Sequence, residues 1–114
     1  MKTCARVDAV VRATALFRGL ADPTRLTILM ELQEGERCVA DLMDRLAMAQ
    51  STVSTHLACL RDCGLVESRA VGRQSFYRLA VPELRDVLGA AEALLARTGD
   101  AVALCPRYGR PAPG

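Results

Sequence analysis

A small, mainly helical domain with one β-hairpin is predicted by three observations. Apolar residues recur at helical spacing along most of the chain, two short β-rich runs flank a glycine-containing turn, and aromatic residues are scarce. At 114 residues one domain is expected. Aromatics make up only 4% and Trp is absent, so the core must be built from Leu, Val and Ala, a mixture that favours helices. The hydrophobic fraction of 51% is enough for a core, but so short a chain buries a modest share of its surface, and a core shared in a homodimer would help it.

The elements follow in order. From about Val7 to Leu20, apolar side chains at Val7, Val10, Val11, Ala15, Leu16 and Leu20 keep helical spacing. Asp22-Pro23 is a strong helix start, because Asp caps and Pro fits the first turn. That helix runs through Leu26, Ile28, Leu29 and Leu32 and stops near Gly35. A short helix spans about Val39 to Leu46, a tight break covers Ala47-Met48-Ala49-Gln50, and another helix runs from Ser51 to about Cys63, where Gly64 ends it. Leu65–Ala70 and Ser75–Ala80 flank Val71-Gly72-Arg73-Gln74, the pattern of a hairpin with a basic tip. Pro82 opens a last helix, Glu83 to about Arg97, with Leu84, Val87, Leu88, Ala91, Leu94 and Leu95 on one stripe. Residues 1–97 thus form the folded domain, and 98–114, rich in Gly, Pro and Arg, are expected to be a flexible tail.

Short helix, tight turn, second helix, Gly and a basic hairpin is the order of a winged helix-turn-helix, here α-α-α-α-β-β-α. A net charge of only +2 does not by itself predict nucleic-acid binding, so any DNA footprint must come from local clustering. At 100° per residue, Val53, Leu57 and Leu60 fall within about one 60° sector that faces the core, while Ser51, Ser54, Thr55 and Ala58 point away. Short hydroxyl side chains let a helix approach the major groove closely, which makes Ser51, Thr52, Ser54, Thr55 and His56 candidate DNA contacts, with Gln50 adding an amide. Arg69, Arg73 and Arg78, on or near the hairpin, suit the phosphate backbone or minor groove. The plainer readings are a helix cap for the Ser/Thr cluster and a solvated surface for the arginines.

Leu20-Ala21-Asp22-Pro23-Thr24-Arg25-Leu26 with Ile28-Leu29 resembles the early helix of the ArsR/SmtB family of metal-responsive repressors. Gln50-Ser51-Thr52-Val53-Ser54-Thr55-His56-Leu57, with Leu60, Gly64-Leu65-Val66 and Gly72-Arg73, resembles that family's recognition helix and wing. The resemblance covers roughly residues 7 to 97. It implies a winged-helix homodimer whose first and last helices form the interface and which binds a pseudo-palindromic operator in double-stranded DNA.

Five cysteines in a chain with no secretory leader pattern argue for metal, redox chemistry or plain burial rather than a disulfide framework. Cys59 and Cys63, four apart, put both thiols on one helix face, where they could share a soft ion or pack as small hydrophobes. Cys105 sits before Pro106 in a segment with little to bury it and could swing onto a metal held elsewhere. Together Cys59, Cys63 and Cys105 resemble the ligand trio of the CmtR-like, cadmium/lead-sensing subgroup of the family, and the resemblance extends to Met-x-Thr-Cys at Cys4, an auxiliary thiol at most. The resemblance implies Cd(II) or Pb(II) as inducer. Hg(II) also suits three thiolates, whereas Zn(II) usually wants a fourth ligand. Arsenic sensors of the family resemble Cys-Val-Cys where this chain has Cys38-Val39-Ala40, which leaves Cys38 structural. Zinc sensors of the family use His and carboxylates on the last helix, and residues 83–97 contain no His.

The expected function is a cytoplasmic, metal-responsive repressor that binds operator DNA as an apo homodimer and dissociates when a soft ion takes the three cysteines. The alternative is a thiol-redox or reactive-sulfur sensor built on Cys59 and Cys63, although neighbouring turns of one helix suit a relaxed disulfide poorly. A single His, no Gly-rich phosphate loop and no paired acid–base constellation argue against an enzyme. No apolar run approaches the roughly 18 residues of a membrane span.

Overall fold

The structure, a computed structural model, describes residues 2–99, with side chains from residue 6 onward. It divides into one unit ending at Val81 and another beginning at Pro82. The first carries α1 (Lys2–Leu20), α2 (Pro23–Gln33), β1 (Arg37–Cys38), α3 (Val39–Leu46), α4 (Gln50–Asp62), β2 (Val66–Val71) and β3 (Gln74–Leu79), and the second carries α5 (Glu83–Thr98). This is the expected mainly helical winged fold, with α1 beginning earlier than Val7 and one short strand, β1, added.

Local chemistry sets the boundaries. Asp22 is the N-cap of α2, and its Oδ2 accepts from the Arg25 N–H at 2.9 Å while Pro23 fills the first helical position. The Arg25 Nε donates back to the Gly19 carbonyl at 2.7 Å, which ties the end of α1 to the start of α2. Two helices end on the same motif. At the end of α4 the Gly64 N–H bonds the Arg61 carbonyl and the Leu65 N–H bonds the Leu60 carbonyl, with Gly64 at φ 78°. At the end of α3 the left-handed position falls on Ala47 (φ 53°, ψ 46°), and Met48 N–H reaches back to the Met43 carbonyl. The short break that aims α4 therefore rests on a non-glycine residue in a glycine conformation.

The core of the first unit is the inner faces of its helices closed by the sheet. Ile28, Leu29 and Leu32 of α2, Leu42 of α3, Val53, Leu57 and Leu60 of α4 and Val66 of β2 are buried almost completely. The α4 stripe lies where helical periodicity put it. The three strands run antiparallel in the order β1-β3-β2, with Arg37 opposite Tyr77 and Cys38 opposite Phe76. The β2–β3 hairpin closes at Val71↔Gln74 through Gly72-Arg73. Gly72 takes φ 61° and Arg73 does not share it, the pattern of a type II′ turn, whose twist suits paired strands. On α1 the apolar residues Val7, Val10, Val11 and Phe17 are exposed.

In the second unit, Pro82 precedes α5 and its carbonyl accepts from Arg85 N–H. Leu84 and Leu88 are buried and Val87 is half-buried, but Ala91, Leu94 and Leu95, expected on the same stripe, are exposed. Among the described residues no helix is long and apolar enough to cross a membrane.

Candidate nucleic-acid interface and thiol pair

The first turn of α4 carries the candidate reading residues. The N-cap is Ala49, which has no side-chain capping bond, so the Ser51 and Thr52 hydroxyls are not spent as caps. Gln50, Ser51, Thr52 and Thr55 are exposed, and Ser54 and His56 are half-buried. The Thr55 Oγ1 donates to the Ser51 carbonyl at 2.8 Å, which leaves its lone pairs outward as acceptors. His56 is partly committed: its Nδ1 lies 3.9 Å from the Asp22 carboxylate that caps α2. The tight turn after α3 and the II′ hairpin bring the reading helix and the wing tip to one place. Gln50 and Arg73, with Gln74, Ser75, Cys38 and Met43, line a cleft of about 270 Å³.

The three hairpin arginines differ. Arg73 at the apex has no hydrogen bond or ion pair among the described residues. Arg78 pairs with Glu67 across the hairpin at 2.6 Å. Arg69 is held by Glu36, which its Nε and Nη2 meet at distances down to 2.7 Å. The Arg69 hydrogen bond, reinforced by the charges of Arg69 and Arg78, holds the Glu36 carboxyl below its ordinary range. Beside this pair, Arg37 is largely enclosed, donates to Glu34 and Asp41 at 3.2 Å each, and lies 3.5 Å from Glu31. Arg45 joins the same Glu31 at 3.0 Å. This ionic knot fixes the α2–α3 junction, and hence the helix that precedes the reading helix. Sequence reasoning passed over Glu36 and Arg37; the charge run Glu34-Gly35-Glu36-Arg37 between two helices was the available signal.

At the far end of α4, Cys59 and Cys63 are brought together as expected. Both are exposed, and the two side chains lie close enough for Cys59 to influence the ionisation of Cys63. Partial burial pushes the Cys63 thiol above its ordinary value, and the Cys59 sulfur and Asp62 add to the shift, against a small opposing effect from Arg25. Cys63 also opens onto a cavity of about 300 Å³ lined by Arg12, Ala15, Leu16 and Gly19 of α1 and by Leu65. Among the described residues no group of three His, Cys, Asp or Glu side chains could hold a metal ion. The pair supplies two soft donors. Cys105, the expected third, lies outside the described residues, as does the side chain of Cys4. Cys38 is half-buried at the edge of β1 and belongs to the cleft under the wing, away from the pair.

Known proteins share this fold and much of this sequence. The family described as bacterial regulatory protein, arsR family, matches residues 22–68, from the cap of α2 into β2. A probable mercury resistance operon repressor of Streptomyces lividans is 38% identical over 104 residues, spanning 91% of this chain and 81% of that protein. The transcriptional regulator CmtR of Mycobacterium tuberculosis is 46% identical over 90 residues, 78% of this chain and 74% of the regulator. Among solved structures, a homodimeric winged helix-turn-helix DNA-binding domain from Mycobacterium bovis aligns with a TM-score of 0.72 at 29% identity, covering 87% of this chain and 89% of that one. HlyU of Vibrio cholerae aligns at 0.70 with 34% identity, covering 77% and 96%. Helix order, hairpin wing and these relatives agree: the chain belongs to the ArsR/SmtB family of winged helix-turn-helix transcription regulators and is not an enzyme.

Proposed function

We propose that the chain is a metal-responsive repressor that binds a pseudo-palindromic operator as a metal-free homodimer and releases it when a soft ion of the cadmium/lead class is taken by Cys59, Cys63 and Cys105. The observation that carries this reading is the placement of Cys59 and Cys63 side by side on the helix that also carries Gln50, Ser51, Thr52, Ser54 and Thr55. A constraint applied at the thiol end of a rigid helix is felt at its reading end. Mercury in the name of one relative supports the same class of soft inducer.

On the DNA side, the α4 residues enter the major groove, His56 borders it, and Arg73 meets the phosphates of the flanking segment. Two such heads presented by a dimer would lie about one helical turn, near 34 Å, apart. The exposed apolar residues of α1 and of the later part of α5 support dimerisation through the terminal helices. On the metal side, Cys59 and Cys63 offer two soft donors and Cys105 completes the set, so closing the site ties the segment beyond residue 99 to the end of α4. The ion supplies the bonds that hold the three sulfurs together. Metal and DNA then oppose each other reciprocally, by about 1–3 kcal/mol or more.

The test is anaerobic titration with Cd(II), following thiolate-to-metal charge-transfer absorption alongside release of a fluorescent duplex. Cys59→Ser, Cys63→Ser and Cys105→Ser should keep DNA binding and lose or blunt metal-induced release, and the absorption should fall by about a third per lost sulfur if the other ligands hold. Cys38→Ser should behave as wild type. Release by Cd(II) undiminished in Cys105→Ser would remove the third ligand and with it the three-thiolate reading. Release by an oxidant but not by Cd(II) would favour the thiol-redox alternative.

A further inference from the structure

We propose that Glu36 sets the DNA affinity of the wing by holding Arg69 away from phosphate. The inference rests on the DNA-binding reading above and concerns a residue with no role in it.

The sheet places the charges. Cys38 of β1 pairs with Phe76 of β3, and Phe76 pairs with Arg69 of β2, so these residues form one cross-strand row. One step along the same face, Arg78 stands opposite Glu67. Glu36 enters this face two residues before Cys38, and side chains two apart in an extended chain share a face. From there its carboxylate takes Arg69 with both oxygens, at 3.1 and 2.9 Å from Nε and 2.7 Å from Nη2. The geometry is the fork that matches a guanidinium to a carboxylate, and it would equally match a phosphate. Arg69 remains 61% exposed, so the pair is not locked inside the protein, and phosphate competes with Glu36 for the same donors.

With Arg78 answered by Glu67, the face carries two arginines and two glutamates, and its charges cancel. Of the hairpin arginines, only Arg73 at the tip presents an uncompensated cation. Glu36 therefore subtracts one arginine from the electrostatic footprint of each protomer. This lowers the part of DNA affinity that is independent of sequence while leaving untouched the base-reading side chains on α4. Tight non-specific binding would keep a repressor on competing DNA, so damping it favours the operator.

The experiment compares wild type, Glu36→Gln, Arg69→Ala and the double variant by fluorescence anisotropy on a labelled mixed-sequence duplex long enough for two half-sites, across a range of salt. Glu36→Gln keeps the shape and removes the charge. It should raise affinity by about tenfold at low salt and steepen the slope of log affinity against log salt by about one per protomer. The gain should vanish when Glu36→Gln is made on top of Arg69→Ala. The same gain in that double variant would mean that Glu36 merely repels DNA through space, and lower or unchanged affinity in Glu36→Gln alone would mean that the pair only braces the wing. Either result overturns the inference while leaving the DNA-binding reading intact. A wild-type protein that binds no duplex at any salt would overturn that reading and this inference together.

Discussion

Single side chains in this protein are distinguished less by type than by what answers them. Three arginines lie on or near one hairpin, yet Arg69 and Arg78 are each met by a glutamate and Arg73 is not. Arg73 also sits at the tip of a type II′ turn beside Gln50, the first residue of the reading helix. It is therefore the wing residue with most to give to phosphate. Arg73→Ala should weaken binding to a mixed-sequence duplex and flatten its salt dependence by about one unit per protomer, measured by anisotropy at several salt concentrations. An unchanged slope would take Arg73 out of the interface. The Glu36 carboxyl obeys the opposite logic. Because Arg69 lowers its pKa, the small contribution of that exposed pair to stability is present above the ordinary value of 4.5 and is lost as pH falls through the lowered one.

At the scale of elements, the break between α3 and α4 decides where the reading helix points. Its geometry matches the end of α4, where Gly64 takes the left-handed position at no steric cost, but here Ala47 takes it. A Cβ in that conformation costs about 1–2 kcal/mol, partly offset by the entropy a glycine would lose on folding. Ala47→Gly should therefore stabilise the protein by about 0.5–1 kcal/mol, read as a higher urea midpoint at unchanged slope. A lower midpoint would show that the alanine methyl has packing value exceeding its strain. The α2 start is a contrasting case, in which Asp22, Pro23 and Arg25 each satisfy a local need, so the element is specified by its own residues.

For the molecule as a whole, the exposed apolar residues bear on assembly. Val7, Val10, Val11 and Phe17 on α1 and Leu94 and Leu95 on α5 are open to solvent in the single chain, whereas Leu84 and Leu88 are already buried within it. A charge at Leu88 would damage the monomer as well as any dimer. A charge at Leu94, which is 62% exposed, would act on association alone. Leu94→Asp should sediment as a monomer at micromolar concentration where wild type is a dimer, with circular dichroism unchanged. A variant that remains dimeric would place the interface away from the end of α5.

Much of this was legible in the residues themselves. The five helices, the hairpin, the cap at Asp22 and the buried stripe Val53, Leu57, Leu60 follow from period, capping and turn chemistry, which act over a few neighbours. The pairing of Cys59 with Cys63 follows from helical spacing by the same token. Strand β1 did not announce itself, because two residues carry no period and pair only with a partner about forty residues away. The sharing of the hairpin arginines was equally hidden. Arg69 meets Glu36 across 33 positions of chain, and only the order β1-β3-β2 brings them onto one face. Local rules thus determined which elements form and which side chains could read DNA or hold a soft ion. The tertiary structure decided which charges are already answered, because electrostatic partners are chosen by distance in space and not by separation along the chain.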